Sequence, residues 1–312
     1  MVAPVLLGIR PLKRIAATTV FLVLAAFSAG AADTARAKPR AAKAPAVADV
    51  NGEGEPNLLS SAALVLDAQT GQTLYAKNAE HAVPIASITK IMTAMVILDA
   101  KLPLDEAISI SSEDLDTIKG TKSRLPVGAS FRRDDLIRLA LMASDNRAAW
   151  ALGRSYPGGR EAFVLAMNAK AAALGLQQTH FLDPAGLDPA NVSSPQDLGR
   201  LVAAASSYEL IREYSTTPAL DVTLPNSRRK IGFVNTNALV RNSDWNIGLS
   251  KTGYISESGK CLVMQAMIAN QPIVIVLLDS WGRLTRIGDA NRIRRWLEKN
   301  PRLIAASALR AG

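Results

Sequence analysis

Two residues able to do chemistry together, Ser87 and Lys90, stand three apart in the otherwise apolar run AVPIASITKIMTAM (82–95). Side chains three apart on a helix share a face, so Ser87 Oγ and Lys90 Nζ can come within hydrogen-bonding range. A hydroxyl attacks poorly until something takes its proton, and a neutral amine within reach can take it. An ordinary lysine, with a pKa of about 10.4, stays charged. Burial and a second nearby cation both push that value down. Ile88, Ile91, Met92 and Met95 supply apolar surroundings, and a helix start at Ser87 favours developing negative charge there. Alone, the pair also fits a capping serine before a lysine that snorkels to solvent.

Two further short patterns shift that balance. Ser144, Asp145 and Asn146 (S-D-N) close the helical-looking stretch DDLIRLALMA, where side chains can face a cleft. Lys251, Thr252 and Gly253 (K-T-G) follow the strand-like IGL, and Gly253 would let a substrate backbone approach the strand. S-x-x-K, S-D-N and K-T-G, in that order, are the motif set of penicillin-binding proteins and class A β-lactamases. The long separations between them allow each motif its own structural element around one cleft.

The elements that must position these groups can be read from the rest of the chain. SAALVLDAQTGQTLYAKN (61–78) has two β-prone runs around a turn, a hairpin pattern. A helix is expected from Ser87 to about Asp99. From 105 to about 205 the texture is mostly helical: segments 132–143, 159–175 and 194–206 carry apolar residues at spacings of three and four, and Ser194-Pro195 reads as an N-cap with proline at the first helical position. Beyond 215 the strand-like runs ALDVTL, RKIGF, IGLSKTG, CLVMQAMIA and PIVIVLLDS precede a last amphipathic helix at 286–299. Strands at both ends with helices between predict an α+β fold, a sheet built from the two termini (58–104 and 206–300) with a helical insertion (105–205). The cleft is expected where insertion meets sheet.

Bulk properties bound the class. The chain has 312 residues, 48% hydrophobic and 20% charged, ordinary globular usage. Arg10, Lys13 and Arg14 precede the apolar run 15–27 and the small residues SAGAAD. That is the layout of a secretory signal peptide, with cleavage expected after Ala31, and the run is short for a spanning helix. Residues 32–57, rich in Ala, Pro, Lys and Gly, read as a flexible tether, and 301–312 as a tail. The formal charge is +9; loss of the three leader cations leaves a moderately basic exported protein drawn weakly to anionic surfaces. No basic run interleaves with aromatics, so nucleic-acid binding is not expected. The one cysteine, Cys261, cannot form an internal disulfide and reads as a small buried residue. His81 and His180 are the only histidines and no H-E-x-x-H occurs, which argues against a Ser-His-Asp hydrolase or a zinc peptidase; neither metal nor cofactor is expected.

The sequence resembles the low-molecular-mass penicillin-binding proteins, the serine D-alanyl-D-alanine peptidases, and among them is most similar to the D-alanyl-D-alanine endopeptidase (penicillin-binding protein 7) group. Beyond the three motifs, the resemblance rests on FLDPAGLDPANVSSPQDL (181–198), FVNTNALV (233–240) and the segment 261–298, and spans about 58–300. It implies a penicillin-binding protein/serine β-lactamase-like transpeptidase fold. It also implies Ser87 as acylated nucleophile, Lys90 as base, Ser144 as proton relay to the leaving amine, and Asn146 as holder of the substrate amide. Lys251 and Thr252 would bind the carboxylate beside the scissile bond, with Lys251 as the second cation that keeps Lys90 neutral. The N–H groups of Ser87 and Tyr254 would form the oxyanion hole.

By that resemblance the enzyme would be periplasmic, would act on peptidoglycan peptide stems and would bind β-lactams covalently. Related carboxypeptidases carry a further domain and an anchoring helix after the catalytic part; only about a dozen residues follow 299, so no stable membrane anchor is expected. A class A-like β-lactamase would need a deacylating glutamate beyond S-D-N, and no glutamate lies between Glu161 and Glu209. A non-catalytic β-lactam sensor of this fold would hang from membrane helices. Carboxypeptidase activity stays open, because both substrates place a carboxylate next to the broken bond.

Overall fold

The computed structural model describes residues 48–224 and 229–303. The expected leader (1–31), most of the expected tether and the tail beyond 303 lie outside the described residues. The tether was expected to reach residue 57, but the chain is held from Asp49 onward. Val50 bridges Pro56, Asp49 pairs with Arg295, and Gly54 O accepts the indole N–H of Trp296.

The elements follow in order. The hairpin β1 (Ser60–Asp67) and β2 (Thr73–Lys77) leads to the short β3 (Val83–Pro84). A 3-10 turn at Ala86–Thr89 runs directly into α1 (Lys90–Asp99). β4 (Ala107–Ser109) and β5 (Ser130–Arg132) pair at the base of a long loop. Helices α2 (Arg133–Met142), α3 (Asn146–Arg154) and α4 (Gly159–Ala173) come next. β6 (Val192–Ser193) pairs with β3 and is followed by α5 (Pro195–Ala205) and α6 (Glu209–Ser215). Strands β7 (Ala219–Thr223), β8 (Lys230–Val234), β9 (Asn246–Ile255), β10 (Gly259–Ile268) and β11 (Gln271–Ser280) lead to α7 (Thr285–Lys299).

Five strands form an antiparallel sheet in the order β2-β1-β11-β10-β9, which joins the early hairpin to the last three strands of the described residues. Two strands expected in that sheet are not there. β7 and β8 pair only with each other. Each buries a single apolar residue, Val222 and Phe233, too little to sit in a sheet covered on both faces.

Both faces of the central strands are covered, which explains the unbroken apolar run IVIVLL in β11. Val274, Val276 and Leu278 face the helices that include α1, α2 and α5. Ile273, Ile275 and Leu277 face α7 through Ile293, Trp296 and Leu297. Each such aliphatic side chain contributes about 1.5–3 kcal/mol by leaving water. The α7 layer is also pinned by a buried carboxylate: Asp289 accepts the N–H groups of Leu59 and Ser60 and the Ser60 hydroxyl, and pairs with Arg292.

Candidate active site

The turn at Ala86–Thr89 carries Ser87, and α1 begins on Lys90. Lys90 is completely buried, flanked by Ile88, Ile91, Met92 and Met95. Its Nζ lies 2.8 Å from Ser87 Oγ, 2.6 Å from Asn146 Oδ1 and 2.6 Å from Ala185 O. Two of these three neighbours can only accept. A neutral amine has two N–H groups and one lone pair, so donation to Asn146 and Ala185 leaves the lone pair aimed at the Ser87 hydroxyl. Burial lowers the Lys90 pKa from 10.5 to about 7, against the opposing pull of Asp183, Asp145 and Asp116. At neutral pH a large fraction of Lys90 is therefore a free base.

The Ser87 segment is held in an uncommon conformation. Ala86 has φ of 47°, a left-handed geometry that costs a non-glycine residue roughly 1–3 kcal/mol and persists only where packing enforces it. Gly253 and Gly186 do the enforcing. A Cβ on Gly253 would lie 2.8 Å from Ile85 O and 3.2 Å from Ser87 N; one on Gly186 would lie 1.9 Å from Ala86 O. The close approach that Gly253 permits is therefore by the serine's own turn.

S-D-N is the link between α2 and α3, and its three side chains take separate tasks. Ser144, with φ of 57°, places its hydroxyl 2.8 Å from Lys251 Nζ. Asp145 caps α3 by accepting the N–H of Ala148 and also accepts the Ser123 hydroxyl. Asn146 faces Lys90, and its Nδ2 donates to Thr121 Oγ1 at 2.8 Å. Each end of that amide thus has one protein partner, which leaves a second N–H and a second lone pair of the amide.

K-T-G lies on the edge strand β9. Lys251 is buried and donates to Ser144 Oγ and Thr252 O. Burial, then the charge of Lys90, then that of Arg286 lower its pKa well below 10.5. Repulsion between two buried amines is mutual, so it disfavours both being charged at once. Thr252 donates to Thr236 Oγ1 at 2.7 Å. The neighbouring Asn237 and Asn235 brace β9 and α6 through Ser250 Oγ and Ser215 O, which gives FVNTNALV a mechanical role. The Tyr254 side chain is exposed and lies under Lys260 Nζ, whereas the oxyanion role expected of this residue concerns its backbone N–H alone.

Sequence reasoning named neither Asp183 nor Arg286. Asp183 is buried and accepts N–H groups from Ala185, Gly186, Leu187 and Asp188, which shapes the loop whose Ala185 O meets Lys90. Arg286, on α7, adds positive charge near Lys251, and its Nε is buried without a hydrogen-bond partner among the described residues. Cys261 is buried with its thiol pushed up to about 11, so it is an unreactive packing residue.

An antiparallel sheet between helical layers, with two serine–lysine pairs converging on its edge strand, defines a serine peptidase of the penicillin-binding protein type. The chain belongs to the D-alanyl-D-alanine carboxypeptidase family, peptidase S11, whose profile matches residues 49–281. It is 49% identical to a D-alanyl-D-alanine endopeptidase of Pseudomonas aeruginosa over 78% of this chain and 79% of that one. It is 43% identical to the D-alanyl-D-alanine endopeptidase of Escherichia coli K12 over the same shares. Among solved structures, the Streptomyces K15 DD-transpeptidase superposes with a TM-score of 0.73 at 29% identity, covering 77% of this chain and 97% of that one.

Proposed function

We propose that this protein is an exported serine DD-peptidase that cleaves D-alanyl cross-links in peptidoglycan through an acyl-enzyme on Ser87. The observation that carries the reading is the setting of Lys90 Nζ: two fixed acceptors, one hydroxyl, and a pKa near 7. In the first step the Ser87 proton passes to Lys90 while Oγ bonds to the D-alanyl carbonyl carbon. The oxyanion takes the N–H groups of Ser87 and Tyr254. Ser144 hands a proton to the departing amine, and its hydrogen bond to Lys251 gives it a source. Lys251, Thr252 and the charge of Arg286 favour a carboxylate at that end of the cleft. Water then takes the place of the amine, and the same groups run in reverse to free Ser87.

The endopeptidase relatives from P. aeruginosa and E. coli favour cleavage of D-alanyl-diaminopimelate cross-links. Removal of a terminal D-alanine is the second reading, supported by the family's description. A fast β-lactamase is disfavoured because Glu161 lies exposed in the first turn of α4 and no further glutamate occurs before Glu209; β-lactams would acylate Ser87 and stay. Residence in the periplasm rests on the leader pattern of residues 1–31. Among the described residues no helix is long and apolar enough to cross a membrane. Digestion of purified cross-linked and uncross-linked muropeptides by wild type and Ser87→Ala tests the assignment. Dimers are expected to be cut by wild type only. Loss of D-alanine from free pentapeptides with dimers left intact would transfer the assignment to a carboxypeptidase.

A further inference from the structure

The loop between β4 and β5 belongs to none of the three motifs, yet it meets S-D-N twice. Thr121 Oγ1 lies 2.8 Å from Asn146 Nδ2, and Ser123 donates its hydroxyl to Asp145 at 2.7 Å. Asp116 holds this part of the loop in shape. Its Oδ1 accepts the N–H groups of Ile118 and Lys119, and its Oδ2 accepts the N–H of Thr121 and, at 2.5 Å, the Thr121 hydroxyl. Arg124 donates to Gly232 O with its guanidinium over the Phe233 ring, and Lys119 pairs with Glu257. The loop is therefore tied to β8 and to the β9–β10 turn as well as to S-D-N.

The direction of these hydrogen bonds decides which way the Asn146 amide faces. Its oxygen and nitrogen ends have nearly the same shape, so only their partners tell them apart. An ionised carboxylate can only accept. Burial pushes the Asp116 pKa up, but the hydrogen bonds from Lys119, Thr121 and Ile118 outweigh that and hold it below the usual 3.8, so Asp116 is ionised at neutral pH. The single Thr121 hydroxyl proton is thus committed to Asp116, and toward Asn146 the oxygen offers only lone pairs. Nδ2 must face Thr121, and Oδ1 must face Lys90 Nζ, 2.6 Å away. With the amide reversed, its N–H would take the Lys90 lone pair and leave an amine N–H pointing at Ser87 Oγ, an arrangement that cannot receive the serine proton. We propose that Asp116 and Thr121 are positioning residues for acylation, which fix through Asn146 the orientation in which the Lys90 lone pair meets the Ser87 hydroxyl. The inference rests on the peptidase reading above, and deepens it by giving a loop outside the motifs control over the proton path.

The test is the rate of acylation by a fluorescent penicillin from pH 5 to 9 in wild type, Thr121→Val, Thr121→Ser and Asp116→Asn, with the labelled residue identified by mass spectrometry. Thr121→Val keeps the shape and removes the hydroxyl at an exposed position. Its rate on the high-pH plateau is expected to fall about three- to tenfold, the worth of one hydrogen bond. Thr121→Ser is expected to recover most of that loss. In Asp116→Asn the plateau should fall by a similar factor and the inflection should move to lower pH. Asp116 is one of three carboxylates, with Asp183 and Asp145, that favour the charged form of Lys90, and Lys251, whose charge is coupled to Lys90, is unchanged in the variant. A loop that merely shielded Lys90 from water would do the opposite, since loosening it would hydrate the ammonium and move the inflection to higher pH. A plateau rate within about twofold of wild type in Thr121→Val or Asp116→Asn, a Thr121→Ser rate as low as that of Thr121→Val, or an unmoved or raised inflection in Asp116→Asn would overturn the positioning role alone. Wild type without an adduct on Ser87 would overturn the peptidase reading and this role with it.

Discussion

Lys251 Nζ stands 2.8 Å from the Ser144 hydroxyl, the same separation as between Lys90 Nζ and Ser87 Oγ. The site thus contains two lysine–serine pairs, both amines buried and both lowered in pKa. One pair lies on the nucleophile's helix, and the other links the α2–α3 turn to the edge strand. Proton transfer onto and off the substrate can therefore use separate serine–lysine couples.

The first consequence is a pH dependence set by Lys90. Acylation needs its neutral form, so the second-order rate of acylation by a penicillin should rise with pH, inflect near 7 and then level off. Below the inflection the rate should fall about tenfold per pH unit. Stability follows the same proton. Between about 7 and 10.5 the unfolded chain holds a proton on this lysine that the folded chain lacks, so stability rises with pH across that window. The cost is fully present below about 7. Stopped-flow acylation from pH 5 to 9 reads the first effect; a flat profile would remove Lys90 as the base.

Ser144→Ala should separate relay from nucleophile. Ser87 and Lys90 keep their contact, so a penicillin adduct still forms, but its rate and peptide turnover should drop by about 100-fold, the usual range for loss of a proton-transfer group. Rates within about threefold of wild type would show that the leaving amine finds its proton elsewhere.

Gly253→Ala should be costly in a way that Gly248→Ala, on the same strand, is not. The new methyl at 253 would press on Ile85 O at 2.8 Å, whereas at 248 the nearest atom is Gln265 Oε1 at 3.7 Å. Displacing the turn costs about 1–3 kcal/mol and moves Ser87, so both melting temperature and acylation rate should fall at 253 only. Equal behaviour of the two variants would contradict the packing argument.

Asp183→Asn should act at a distance from substrate. The carboxylate accepts N–H groups from four residues in the loop at 185–188, and an amide can accept with only one of its two polar atoms. Loss of buried acceptors is worth about 1–3 kcal/mol, which lowers the melting temperature of a domain this size by roughly 2–12 °C. As Ala185 O drifts from Lys90, acylation should slow as well. Calorimetry and penicillin labelling check the two effects, and an unchanged melting point would show that the carboxylate does not hold the loop.

How much of this was legible beforehand differs by element. Ser87, Lys90, Ser144 and Lys251 could be located because three short motifs fix both residue type and order, and β9, β10, β11 and α7 announced themselves by periodicity. The helix α3 was not read, although Asp145 caps it, because S-D-N was taken as the end of α2 rather than a hinge between two helices. Sheet membership also escaped: ALDVTL and RKIGF look as strand-like as β9 until burial shows that each has only one core residue. Arg286 and Asp183 act by charge and by backbone hydrogen bonds across long separations, and spacing along a sequence carries no record of either.

The central claim, that a buried neutral amine arms Ser87, is tested most directly by mapping the covalent adduct left by ampicillin. Mass spectrometry of a digest at neutral pH should find the ampicilloyl group on the peptide containing Ser87, persisting for minutes or longer, and should find none in Lys90→Met. An adduct on any other residue, or undiminished labelling of Lys90→Met, would contradict it.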